Sequence, residues 1–83
     1  MKVTVRYFAS IREAIGQGSE AVETSAATLG ALRDELIARG GAHAASLARG
    51  KAVRMALAQT LSDESAALAE GAEVAFFPPV TGG

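Results

Sequence analysis

The chain has 83 residues, 49% of them apolar and 20% charged, with a formal net charge of −1. This is the size of one small domain, and its eight scattered Lys and Arg make no basic field for nucleic acid. The absence of cysteine excludes disulfides, thiolate zinc sites and cysteine nucleophiles, and the lack of a bilayer-length apolar window or signal-peptide core makes the cytoplasm the expected location.

Lys2 to Ala9 alternates with the period of a half-buried strand. Val3, Val5 and Tyr7 fall on one face, and Lys2, Thr4, Arg6 and Phe8 on the other, which leaves Phe8 as an aromatic on the polar side. Ser10 is expected to cap a short helix, Ile11 to Ile15, ended by Gly16 and Gly18. Glu20 to Thr24 reads as a second strand, with Val22 opposite Ala21 and Glu23. Thr28 then caps the main helix, about Leu29 to Arg39. Its stripe is Leu29, Leu32 and Leu36, with Arg33, Asp34 and Arg39 toward water. Gly40-Gly41 ends it. A helical turn within Ala42 to Arg49 is anchored by Leu47.

Lys51 to Ala58 forms a third strand with Val53, Met55 and Leu57 inward. Gln59-Thr60 is the expected turn, then Leu61 and a minor edge strand in Ser62 to Ser65. Leu68 packs inward, and Glu70-Gly71 turns the chain. Glu73 to Phe77 is the last strand, with Val74 and Phe76 inward and Ala75 and Phe77 outward. One amphipathic helix on one face of a mixed sheet is an α+β two-layer domain. With the first and last strands adjacent at its centre, Phe8 and Phe77 become neighbours. Leu61 joins them in an apolar patch on the open face. The alternative is that the rings fold over an edge into the core.

The domain is read as residues 1–77, followed by an extended tail, 78–83. Neither Pro78 nor Pro79 can donate to a strand ladder, and each fixes φ near −65°. The run Pro78-Pro79-Val80-Thr81-Gly82-Gly83 is therefore a semi-rigid arm of at most about 20 Å. It carries no charged side chain and narrows to two residues without Cβ atoms, so it suits a tunnel that excludes ordinary side chains. A frayed terminus is the plainer alternative.

Catalytic constellations are missing. A single His43 has no thiol or second histidine to share a metal, and is expected at or near the surface. Asp34-Glu35 and Asp63-Glu64 are neighbours that diverge on a helix, and are expected on solvated faces. The glycines do not form a phosphate-cradling pattern. No activity is expected of the chain alone.

Glu73-Val74-Ala75-Phe76-Phe77-Pro78-Pro79-Val80-Thr81-Gly82-Gly83 resembles the C-terminus of the small subunit of molybdopterin synthase, the MoaD family of sulfur carriers. Phe8-Ala9-Ser10-Ile11-Arg12-Glu13 is similar to that family's first strand and following turn, and Glu70-Gly71-Ala72-Glu73-Val74 to its last hairpin. The resemblance covers essentially the whole chain and implies a ubiquitin-like β-grasp fold. Ala58 departs from the Asn that many relatives carry before Gln59. What the resemblance implies is a sulfur carrier whose Gly83 is adenylated and then thiocarboxylated. Gly82, Thr81 and Val80 would enter the partner, Pro78 and Pro79 would set direction, and Phe8, Leu61 and Phe77 would dock. The implied partners are a MoaE-like large subunit in a heterotetramer, an adenylyltransferase of the MoeB type and a sulfur donor enzyme. No cofactor is expected on this chain, ATP being used by the activating partner. The product would be the dithiolene of molybdopterin, made from a cyclic pyranopterin monophosphate. A protein modifier joined through Gly83, a carrier for thiamine synthesis or tRNA thiolation, and an interaction module with an inert tail remain the alternatives.

Overall fold

Alternation along β1 (Lys2–Tyr7) buries Val3, Val5 and Tyr7 and exposes Lys2, Thr4 and Arg6 in the computed structural model, which describes residues 1–79. β2 (Ser19–Glu23) runs antiparallel to β1, with Val3 opposite Val22. β5 (Glu73–Phe77) lies on the other side of β1, parallel to it, with Tyr7 opposite Phe76. β3 (Arg54–Leu57) and β4 (Thr60–Ser62) complete a sheet of order β2-β1-β5-β3-β4. The first and last strands thus lie side by side inside the sheet, each flanked on its other side by a further strand.

One face of this sheet is covered by helices. α2 (Leu29–Ala38) starts as expected, with the Thr28 hydroxyl accepting from the Ala31 amide at 3.2 Å. Leu29, Leu32 and Leu36 are fully buried against Val5, Val74 and Phe76 in a core that also takes Ile11 and Leu47. The last two come from α1 (Ala9–Ile15) and α3 (Gly41–Leu47). The α+β reading of the sequence holds, with two short helices beside the main one.

Several local expectations are corrected. Ser10 lies inside α1 and caps nothing; Phe8 is the N-cap, and its carbonyl receives the amides of Ile11 and Arg12 at 3.2 and 3.3 Å. The helix begins earlier because the chain turns at once after β1, through Ala9 at φ 52°.

Arg33 does not face water. It is 4% exposed, since it lies four residues after Leu29 and three before Leu36, on the buried stripe itself. Its Nε and Nη2 donate to the carbonyls of Leu47 and Ala48 at 2.7 and 2.8 Å, so it caps the end of α3. Burial and the neighbouring Arg49 charge lower its pKa, against the Glu64 carboxylate at 3.2 Å.

The acidic pairs are not merely solvated. Glu35 accepts from the Thr24 hydroxyl at 2.5 Å. Asp34 pairs with Arg49 at 2.9 Å, and Glu64 holds both Arg33 and Arg49.

β3 starts at Arg54 rather than Lys51 because residues before it are committed elsewhere. The Lys51 amide closes a turn onto Ala48, and the Lys51 carbonyl accepts from Arg33. The turn itself is Ala58-Gln59, one residue earlier than expected. Both have positive φ, 51° and 68°, and Leu57 pairs directly with Thr60. That is a two-residue hairpin of the type that matches strand twist. The edge strand is accordingly Thr60–Ser62, and Asp63 ends it by accepting from the Ser65 amide at 2.9 Å.

Candidate functional site

The parallel pairing of β1 and β5 makes both strands end on the same side of the molecule. Phe8 follows β1 and Phe77 closes β5, and the Phe8 amide donates to the Phe76 carbonyl at 3.2 Å. The two rings therefore stand side by side on the open face, opposite the helices. Ala75 pairs with Ala56, and Ala56 with Leu61, which carries the apolar surface out to the sheet edge. Phe8, Ala56, Gln59, Leu61, Ala75 and Phe77 line a shallow depression of about 480 Å³. The alanines are its floor and the larger side chains its walls.

Phe8 is 42% exposed and Leu61 62%. The rings have not folded into the core. The Arg6 guanidinium sits over the Phe8 ring, 5.8 Å from its centroid, and is paired with Glu73 at 3.1 Å. An exposed cluster of this kind is the sort of surface that marks interaction sites on small domains.

The arm leaves from this patch. Pro78 and Pro79 follow Phe77 directly and are half-buried. The sequence-based assignments to Val80, Thr81, Gly82 and Gly83 lie outside the described residues.

Elsewhere the polar groups hold the fold together. Glu20, on β2, accepts from the Tyr7 hydroxyl at 2.6 Å and from Arg39 at 2.8 Å, and lies 3.0 Å from His43 Nε2. Burial alone would push its carboxyl up, but the hydrogen bonds from Arg39, Tyr7 and His43 outweigh it and hold its pKa at about 2. Burial and the Glu20 carboxylate push the Tyr7 phenol up, so it stays a donor. His43 is partly buried at the surface, as expected, with a structural partner. Among the described residues no three His, Asp or Glu side chains converge as a metal site, and no helix is long and apolar enough to cross a membrane.

Sequence parity found Phe8, Leu61 and Phe77, and the structure brings all three together. It missed Ala56, Gln59 and the adjacent Arg54. Assigning Met55 and Leu57 inward already implied that Arg54 and Ala56 point outward, so the signal was there.

A five-stranded mixed sheet with parallel central first and last strands and one main helix across it is a ubiquitin-like β-grasp domain. The chain belongs to the ThiS family, whose model matches residues 5–83. It is 42% identical over 81 residues to the molybdopterin synthase sulfur carrier subunit of Haemophilus influenzae, covering 98% of this chain and 99% of that one. A putative molybdopterin converting factor subunit 1 from Pyrococcus furiosus superposes with a TM-score of 0.79 at 26% identity, over 96% of this chain and 99% of that one. A protein–protein complex of subunits 1 and 2 of molybdopterin-converting factor from Helicobacter pylori contains a chain that matches over the full length of both, with a TM-score of 0.68 at 28% identity.

Proposed function

We propose that this chain is the sulfur carrier subunit of a molybdopterin synthase, bearing sulfur as a thiocarboxylate on Gly83. The observation that carries the reading is the junction at Phe77. There the open apolar patch and the Phe77-Pro78-Pro79-Val80-Thr81-Gly82-Gly83 run meet. The near full-length similarity to a named sulfur carrier subunit supports it.

The chemistry follows from what the chain lacks. With no cysteine, its terminus is the one place where it can carry sulfur covalently in a transferable form. A carboxylate is a poor electrophile, so a partner enzyme of the MoeB type would first join it to AMP from ATP, releasing pyrophosphate. Sulfide-level sulfur released by a sulfur donor enzyme then attacks the Gly83 carbonyl carbon; the C–S bond forms as the C–O bond to the adenylate breaks, AMP leaves, and the product is the thiocarboxylate. Docked on the large subunit, a MoaE-like chain, the arm delivers this sulfur to a cyclic pyranopterin monophosphate. Two carriers acting in turn provide both sulfurs of the dithiolene. A partner of subunit 2 type is named for the Helicobacter pylori relative, which supports pairing with a large subunit here.

In this division of labour the patch binds, the prolines aim and the glycines pass through the narrowest point. Two consecutive prolines lower the ordering cost of inserting the run, because each fixes its own φ before binding.

Intact-mass spectrometry of the chain incubated with its activating enzyme, ATP and a sulfur donor tests the reading. The expected mass gain is one oxygen exchanged for sulfur at Gly83. Unchanged mass, or Gly83 found joined to lysines of other proteins, overturns it.

A further inference from the structure

The open face carries charge as well as apolar surface. Tyr7 pairs with Phe76 and Phe77 pairs with Arg54, so register sets Phe8, Phe77 and Arg54 in one row across β1, β5 and β3. Alternate residues of a strand share a face, and Arg54 stands two before Ala56, in the floor of the depression. Its side chain is exposed.

The two arginines of this face are treated differently. Arg6 is matched by Glu73 at 3.1 Å and rests over Phe8. Arg54 has no carboxylate within ion-pair distance among the described residues. The acid closest to it by register is Asp63, one residue past β4. Its Oδ1 is taken by the amide and hydroxyl of Ser65. A partner that covers the patch strips water from Arg54, and an unmatched cation then opposes docking.

We propose that Arg54 is a specificity determinant of this docking face. The synthase large subunit fits it with a surface that is apolar at its centre and sets a carboxylate against the Arg54 guanidinium. The inference rests on the carrier reading above, which supplies the occupant. An apolar patch alone would accept many greasy surfaces, whereas a cation at its rim penalises every partner without an acid in register. A matched pair also speeds encounter and makes it salt-sensitive.

The test is a titration of the full-length chain against its cognate large subunit at low and high salt. At low salt Arg54→Glu is expected to bind at least about tenfold more weakly, and the difference from the unaltered chain should shrink at high salt. Arg54→Lys should keep most of the affinity and its salt dependence. One Asp or Glu→Lys change on the large subunit should restore binding to Arg54→Glu. Melting temperatures should stay together, since among the described residues the Arg54 side chain makes no hydrogen bond or ion pair. Equal low-salt affinity of Arg54→Glu and the unaltered chain overturns the Arg54 assignment while leaving the carrier reading intact. Failure of the unaltered chain to bind the large subunit overturns both.

Discussion

Replacing Glu20 by Gln should make the domain lose its normal response to acid. The Glu20 side chain is 15% exposed and joins β1 through Tyr7, the end of α2 through its capping residue Arg39, and α3 through His43. Its pKa is held at about 2 in the folded chain, against an ordinary 4.5. A folded-state value below the unfolded one means that ionised Glu20 favours folding. That contribution is complete above about pH 4.5, fades as pH falls, and is gone below about pH 2. The difference corresponds to roughly 3 kcal/mol at neutral pH. For a domain of this size about 1 kcal/mol moves Tm by roughly 4–8 °C. Glu20→Gln should therefore melt at least 10 °C or so lower at neutral pH, because the amide keeps the shape but loses the charge that Arg39 needs. The gap should narrow steadily through acid and close near pH 2. Thermal melts by circular dichroism across that range measure it. A gap that stays constant from neutral to acid pH would show that the charge does not matter and that the loss is one of packing or geometry.

Three other changes have sharp outcomes. Gly82→Val should leave Tm within a degree or two of normal, since every core side chain among the described residues lies at or before Phe76, while abolishing sulfur loading or transfer in the mass assay. Phe77→Asp should weaken large-subunit binding by about a hundredfold or more while costing the fold little, because Phe77 is outside the core and its partners Phe8 and Ala56 face solvent; gross unfolding of this variant would mean that Phe77 is a core residue. Ala58→Asn should raise stability by about 0.5–1 kcal/mol, visible as a Tm gain of a few degrees, because Ala58 sits at φ 51° where Asn is favoured.

The elements with local causes were legible. Thr28 followed by the leucine stripe gave α2 its start and buried face, and β1 and β5 showed their inward residues by simple alternation. The site was legible for the same reason. Phe8, Leu61 and Phe77 are apolar residues at positions whose parity points outward. Arg33 is not legible in the same way, because three spaced leucines already complete an apolar stripe and its acceptors are carbonyls of Leu47, Ala48 and Lys51, distant in sequence. No local pattern announces a charge whose partners are assembled by the fold. The Ala58-Gln59 turn was hidden for a different reason. Strand pairing forces positive φ there, while the side-chain signature that normally marks such a turn is absent.

Why the docking patch and the arm share one end follows from a single choice of strand direction. Had β5 run antiparallel to β1, Phe77 would have lain at the opposite end of the sheet from Phe8, and the arm would have left from bare polar backbone. The parallel pair sets Tyr7 beside Phe76 and so puts Phe8 next to Phe77, one residue before Pro78. The helices take the other face, together with the Glu20 and Arg33 networks that tie them to the sheet and to one another. On the carrier reading, binding at the patch would fix where Pro78 leaves the sheet, and the reach of the sulfur-bearing atom beyond it is bounded by the length of the six-residue run. A carrier built this way needs no catalytic side chain, and changes that disturb sulfur transfer should separate cleanly from changes that disturb folding.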